Sequence, residues 1–475
     1  MTVEPIGLII LAIGLFGLYR PPVFLIYAFL TSTLLGAAAA TNVTAIGGVS
    51  IQPAHLLFGF VVLKLLRDPE IRQRLFDAVT FGTPGCWLAI TVGFSLVMSY
   101  FMPRLFQGET LVFAVRATTL GTVALEPTTS NMTQSVYFIA DMFCFLLIYA
   151  FASTRDGIKT LLHAALFVAS ANMAFAVLDW VTYLTRTTEI LSIIRNANYT
   201  LRVDDDVAGI KRTVGSFVEA SSFGSVTLGY FAFTLRLWFM GVYSRLSRNL
   251  SLMALFATLL ATSTTAYFGL GVVLCIIYAE FLLRAMSGPV TLPVKLFLVG
   301  APLLLANLVL GIALNETTAT KAKDLLDTFF FNKMASDSGV ERSSWNQAAL
   351  QSFFDTYGFG FGNGSGRASS FIIAVIANLG IVGTALFVMF FVGVFFDRRR
   401  DYLTLTEEAA RSAGKSMCLA WIIGSTVSAP LIDLGLSFYA FAALACAPGY
   451  RVRSESVKTV QHVQRRFYAE PQQSS

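Results

Sequence analysis

Residues 370–396, SFIIAVIANLGIVGTALFVMFFVGVFF, run without one charged side chain and stop at Asp397-Arg398-Arg399-Arg400. A run of that length is enough to cross the roughly 30 Å hydrocarbon core of a bilayer as a helix. Working outward, further apolar blocks recur near 5–19, 22–40, 54–66, 84–102, 134–153, 159–182, 221–242, 250–265, 266–284, 295–314, 416–431 and 433–448. Of the 475 residues, 55% are apolar and 13% charged, about half the usual charged share of roughly 25%, which excludes an ordinary soluble enzyme. The pattern predicts an all-α polytopic membrane protein, with one membrane domain over 1–448 and about 12–13 transmembrane helices. Blocks shorter than a full span read as tilted or re-entrant. The first block lacks a basic leader and a small-residue cleavage site, so it reads as a retained helix.

Lys and Arg resist translocation, so their placement in short connections sets orientation. Arg20, then Arg67, Arg72 and Arg74, then Arg155 and Lys159, then Arg245 and Arg248, then Arg284 and Lys295, then Arg398 to Arg400, Arg411 and Lys415 occupy alternate connections. That face is predicted to be cytoplasmic, and a basic tail over 449–475 joins it. The opposite, periplasmic face carries three long loops, near 103–133, 184–220 and 315–369. A net charge of +6, scattered along the chain, gives no nucleic-acid footprint. The five cysteines all fall in apolar blocks without ligand spacing, and the three histidines, His55, His163 and His462, do not compose a zinc site. No metal or other cofactor is expected.

The outer loops nevertheless collect cations: Arg186, Arg195, Arg202, Lys211 and Arg212 in the second, and Lys321, Lys323, Lys333, Arg342 and Arg367 in the third. Long loops are partly exempt from the orientation rule, so these are either solvated charges or an anion site in which guanidinium forks grip phosphate oxygens. Residues 209–222, GIKRTVGSFVEASS, lead into an apolar helix and deliver Arg212, Gly215 and Glu219 to the membrane edge. In the third loop Leu325, Leu326, Phe329 and Phe330 form an apolar cluster. A Ser343/Ser344 cap is expected to open a surface helix near Arg342 with Trp345, Ala349 and Phe353 on one face. That helix runs into YGFGFGNGSGR at 357–367, where five glycines in nine residues, Gly362 central among them, permit close backbone approach to a ligand. Tyr267, after Thr262-Ser263-Thr264-Thr265, either lines a sugar pocket where a helix breaks or packs between helices. Asp204-Asp205-Asp206 contains an Asp-x-Asp arrangement but reads as a solvated turn.

The Arg212-x-x-Gly215-x-Phe217-x-Glu219-x-Ser221 stretch, the 262–267 step, Arg342 followed by a surface helix and a glycine-rich turn, and the 378–383 run NLGIVG together resemble the O-antigen ligase and Wzy-type polymerase superfamily. Their order covers roughly residues 200–400. The resemblance implies a GT-C-like, multi-pass glycosyltransferase of the bacterial inner membrane, working on its periplasmic side. Its donor would be a glycan on undecaprenyl diphosphate, and its partners a flippase and a chain-length regulator of a polysaccharide export pathway. Ligases of the family carry a histidine in the large late loop. None stands between 315 and 369 here, which favours a polymerase of lipid-linked repeat units over a ligase. A diphosphate is a good leaving group that needs cations rather than a general acid, so Arg212, Arg342 and Arg367 are expected to clamp it without a metal. Glu219 is expected to orient or deprotonate the acceptor, the other reading being a carboxylate paired with Arg212 or Lys211. Lys211, Gly215, Tyr267 and Gly362 complete the expected substrate-binding set.

Two further classes stay open. Intramembrane Asp141, Asp179, Glu280, Arg236 and Lys64 are the usual pointers to a flippase or transporter, though three long outer loops and the lack of paired broken helices count against it. A non-catalytic scaffold of a polysaccharide machine is the other.

Overall fold

Each apolar block corresponds to one helix in the computed structural model, which describes residues 2–43, 49–115, 121–197, 206–207, 210–327, 337–396 and 403–450. Asp204, Asp205, Arg202, Phe329, Phe330, Lys333 and the tail from 451 onward lie outside the described residues. Sixteen α-helices run in chain order: α1 Pro5–Tyr19, α2 Pro22–Ser32, α3 Pro53–Leu65, α4 Pro69–Ala78, α5 Pro84–Leu105, α6 Thr129–Ala152, α7 Gly157–Thr185, α8 Ala220–Phe239, α9 Ser244–Leu260, α10 Thr264–Ser287, α11 Leu292–Ala313, α12 Glu316–Leu326, α13 Asp337–Asp355, α14 Phe371–Phe396, α15 Leu405–Ser428 and α16 Gly435–Cys446. Six of them, α5, α6, α7, α10, α11 and α14, are long and apolar enough to cross a membrane, while α1, α2, α3 and α16 are apolar but shorter. The protein is therefore an all-α, multi-pass membrane protein.

Local chemistry sets the boundaries. Proline stands in the first turn of α1 to α5 and α11, where its missing N–H leaves no bond unmade. Thr83 and Asp68 accept from first-turn N–H groups, and Thr404 with Glu407 forms a reciprocal box at the start of α15. The block at 22–40 is helical only to Ser32. Beyond it the chain is buried and irregular, and its backbone is satisfied by other segments: Ala37 N donates to Ser216 O, Ala40 N to Ile51 O, and Ala39 N to Asn196 Oδ1.

Helix α13 begins earlier than the sequence suggests. Ser343 and Ser344 lie inside it rather than capping it, and Arg342 sits in its second turn. Ser344 Oγ donates back to Glu341 O at 2.8 Å, which lets a serine sit in a helix interior.

Core packing is densest around α8, which lies against α9 and α15, and around α6, which lies against α16. The aromatic cluster of Tyr230, Trp421 and Phe441 closes the first contact edge to face. Helix α11 is the opposite case: only Val294 along it is buried.

The two ends of the bundle differ. At one, the N-terminal strand Thr2–Val3 pairs with Thr41–Val43, which pairs with Val49–Ile51. The long loops are knitted together at that same end: Thr110 Oγ1 donates to Asp355 at 2.6 Å, Arg367 N to Phe113 O at 2.9 Å, and Ala368 N to Pro430 O at 3.1 Å. At the other end stand Lys- and Arg-bearing connections, of which Arg398 to Arg400 lie outside the described residues. Lys64 reaches Leu18 O, Arg74 lies over the Tyr450 ring, and Lys415 reaches Phe395 O.

Candidate functional site at the long-loop end

The second long loop is organised by an intramembrane carboxylate that, in sequence alone, points to transport. Asp179, in the last two turns of α7, is 1% exposed. One of its oxygens takes Arg195 Nη2 at 2.7 Å; the other takes Lys211 Nζ at 2.9 Å together with the N–H groups of Val214 and Gly215 at 2.9 and 3.2 Å. Arg195 also donates to Gly215 O. Lys211 Nζ lies 5.2 Å from the Tyr183 ring centre and 5.8 Å from that of Trp180. A buried charge is tolerable only when paired and hydrogen-bonded, and here every requirement is met within the protein. Lys211 and Gly215, expected on a substrate, are instead parts of this network.

What the network positions is the run from Arg212 to Ser221. Thr213 N donates to Leu260 O at 3.1 Å, tying the run to the end of α9, and Trp180 Nε1 donates to Thr213 Oγ1 at 2.8 Å. The chain breaks between α9 and α10, with Thr262 at φ 43°, and Tyr267 follows. The Tyr267 hydroxyl donates to Leu259 O at 2.9 Å, capping the last turn of α9, and Arg212 is its electrostatic neighbour. Glu219 stands directly before α8, where the positive end of a helix favours a carboxylate. It accepts from Ser221 Oγ, and among the described residues it makes no ion pair with Lys211.

Ser221 also lines a cavity of about 180 Å³ between the start of α8, the end of α15 and the start of α16. Six serines face it, Ser221, Ser222, Ser225, Ser425, Ser428 and Ser437, with Trp421 and Phe438 beside them. Hydroxyls backed by aromatic rings suit a polyhydroxylated ligand. The volume falls below the roughly 300 Å³ at which pockets enclose a drug-sized molecule.

In the third loop the Arg367 guanidinium stacks on Trp345, with Cζ 3.9 Å from the ring centre. Its Nε is buried and lacks a hydrogen-bond partner. Partial burial lowers the Arg367 pKa from its ordinary value, opposed by the nearby Glu341 charge, and a guanidinium remains protonated at neutral pH. Arg342 precedes Trp345 by three residues on α13, so the two share a helix face. Among the described residues Arg342 makes no ion pair. Asn346 Oδ1 accepts from Ser369 N and Ser370 N at 2.7 and 3.1 Å, fixing α13 against the start of α14. Pro430 accepts from Ala368 in the loop that follows Ser428, which sets this cluster beside the serine-lined cavity.

The glycine-rich turn approaches helices rather than open space. Helix α14 breaks at Gly380, whose φ of 66° and ψ of −171° interrupt its bonding ladder. Phe361 N donates to Ala377 O at 2.9 Å, Gly362 N to Asn378 O at 3.1 Å, and Ile381 N to Gly358 O at 3.0 Å. The turn thus satisfies the groups that the break exposes, as non-helical backbone at membrane depth requires. A Cβ on Gly360 would stand 2.7 Å from Gly380 N, and one on Gly362 would stand 2.8 Å from Met98 O of α5. The space at Gly362 is filled by the protein.

The intramembrane charges differ in how they are met, and Asp141 Oδ2 is buried without a hydrogen-bond partner. Arg236 pairs with Glu280, Lys64 holds Leu18 O, and Asp141 lies within hydrogen-bonding reach of Asp433. Among the described residues no group of three or more His, Cys, Asp or Glu is arranged to hold a metal ion. Compared with protein-family models, curated proteins and solved structures, the chain matches none.

Proposed function

We propose that the protein is a membrane glycosyltransferase that joins oligosaccharide repeat units carried on polyprenyl diphosphate, a metal-independent polymerase of exopolysaccharide or O-antigen acting on the outer side of a bacterial inner membrane. The observation that carries this reading is the gathering, at one end of the bundle, of Arg212 with Tyr267, Glu219 with the serine-lined cavity, and Arg342 with the Arg367–Trp345 stack. That inventory matches the reaction. A sugar hydroxyl of the acceptor attacks the anomeric carbon of the donor, the bond from that carbon to the diphosphate oxygen breaks, and the hydroxyl proton passes to Glu219. Charge develops on the departing diphosphate, where guanidinium groups stabilise it. Serine hydroxyls and the Trp421 and Phe438 rings hold the reacting sugar, and Ser221, already bonded to Glu219, keeps the base aimed at the cavity.

The absence of histidine from 315–369 favours the polymerase over a ligase. The glycan profile of a deletion strain complemented with wild type, Arg212→Ala or Arg342→Ala tests the reading. Single repeat units on the carrier, not extended by either variant, are the expected result. Full-length polymer on the carrier that is never transferred identifies a ligase instead. Repeat units trapped on the inner leaflet identify a flippase, and full activity of both variants removes the arginine clamp.

A further inference from the structure

Midway along α6 a carboxyl group stands in the core with no cation to meet it. Asp141 is 1% exposed and lies roughly 18 Å along the helix from its start. Within its hydrogen-bonding reach is a second carboxyl, Asp433, half-buried in the link between α15 and α16. Contacts along α6 frame the pair. One turn before Asp141, the centre of the Tyr137 ring lies 4.9 Å from that of His55, at the start of α3. Three residues after it, Cys144 Sγ donates to Leu436 O at 3.3 Å, which sets the start of α16 opposite Asp141. Phe145, on the next turn, packs on Phe390, and Phe390 on Tyr439. Asp433 Oδ1 accepts from Gly435 N at 2.6 Å, which fixes its carboxyl at the head of α16.

The titratable groups facing the pair are His55 from α3, Cys144 from α6 and Tyr439 from α16, with no lysine or arginine among them. Neither aspartate makes an ion pair among the described residues. Three buried polar atoms here have no hydrogen-bond partner: Asp141 Oδ2, the Tyr439 hydroxyl and His55 Nδ1. Tyr439 is fully buried and is an electrostatic neighbour of both carboxyls, while His55 is one of Asp433. Buried polar atoms are normally bonded, so three orphans around one carboxyl pair mark a site that serves a ligand. Two carboxylates at this range repel each other, and one proton between them turns the repulsion into a bond.

We infer that Asp141 and Asp433 form a proton-binding site, reached from the long-loop side through Asp433. One proton from the water on that side converts two carboxylates into an acid and a carboxylate joined by an O–H···O bond. Leu434 and Ser437 beside Asp433 line the serine-lined cavity, so the same proton steadies that wall. The site stands whether or not that cavity takes a sugar. The folded chain then holds a proton that the unfolded chain has released at neutral pH. Stability therefore falls as pH rises, by about tenfold in the folding equilibrium per pH unit, until the pair gives its proton up.

The test is thermal unfolding of the full chain in detergent from mildly acid to mildly alkaline pH, with infrared difference spectra of the carboxyl C=O band over the same range. The wild type should lose stability as pH rises and show one carboxyl giving up a proton. Asparagine imitates a protonated aspartate, so Asp141→Asn and Asp433→Asn should each flatten the stability profile, and Asp141→Asn should abolish the infrared signal. Asp433 is half-buried in a link, so its variant folds even where the substitution within α6 does not. His55→Gln should leave the profile as it is; a flat profile in that variant would assign the proton to the imidazole and overturn the inference. A flat wild-type profile, or one unchanged in Asp433→Asn, would overturn it as well. Stabilisation by sodium chloride but not potassium chloride, with no response to pH, would make sodium the ligand and reject the proton.

Discussion

Two basic segments share the long-loop end, and they differ in where their charge goes. In the second loop Arg195 and Lys211 converge on Asp179, which is buried and saturated with donors. In the third, Arg367 rests on a neutral ring with a buried Nε that has no hydrogen-bond partner, and Arg342 shares the Trp345 face without an ion pair among the described residues. The first arrangement holds a loop in place; the second leaves guanidinium charge without an ion pair among the described residues. Cations of identical sequence character thus do opposite things, and what separates them is the presence of a buried counter-charge.

The largest effect should come from the closed segment. Asp179→Ala leaves two cations without their carboxylate and should lower stability by about 3–5 kcal/mol, read as a fall in unfolding temperature of the detergent-purified protein. An unchanged melting curve would mean that the network does not hold the loop. In the open segment the expected loss is in rate. Arg342→Ala or Arg367→Ala should reduce polymer formation by roughly 10²-fold while the unfolding temperature stays near wild type, the effect of removing one stabiliser of developing charge. A comparable loss of stability in these variants would erase the distinction between the two segments. Smallest is Trp345→Leu, which removes a cation–π contact of about 1 kcal/mol and should slow turnover roughly fivefold by loosening Arg367. An equal slowing in the Arg367→Ala background would show that Trp345 acts by another route, since additivity marks independence.

Much of the architecture was legible in the chain because apolar blocks map directly onto helices, from the block at 5–19, which is α1, to the block at 433–448, which carries α16. The segment after Ser32 was not, because alanines that read as helix are held in irregular backbone by partners at Ser216, Ile51 and Asn196. The start of α13 was misread because serine both caps helices and bonds backward inside them. At the candidate site, Arg212, Glu219, Tyr267, Arg342 and Arg367 stand in or beside the long loops, where the sequence already places them. Asp179 was missed as an organiser, since its partners are 16 and 32 residues away and no local spacing links them. The serine-lined cavity left no motif either, its six hydroxyls coming from three helices.

The interlock of Gly358 to Gly362 with the break in α14 bears on how the chain is built. A regular apolar helix enters a bilayer with its hydrogen bonds already closed. Helix α14 does not, because Ala377 O, Asn378 O and Ile381 N find their partners only in the turn that precedes it. Residues 358–362 leave the ribosome before residues 377–381, so these partners, two donors and one acceptor, are synthesised first and must be carried into the membrane along with the helix they complete. Insertion of this segment is then a folding step, in which turn and helix enter together as one unit with α5 as the wall against which Gly362 closes.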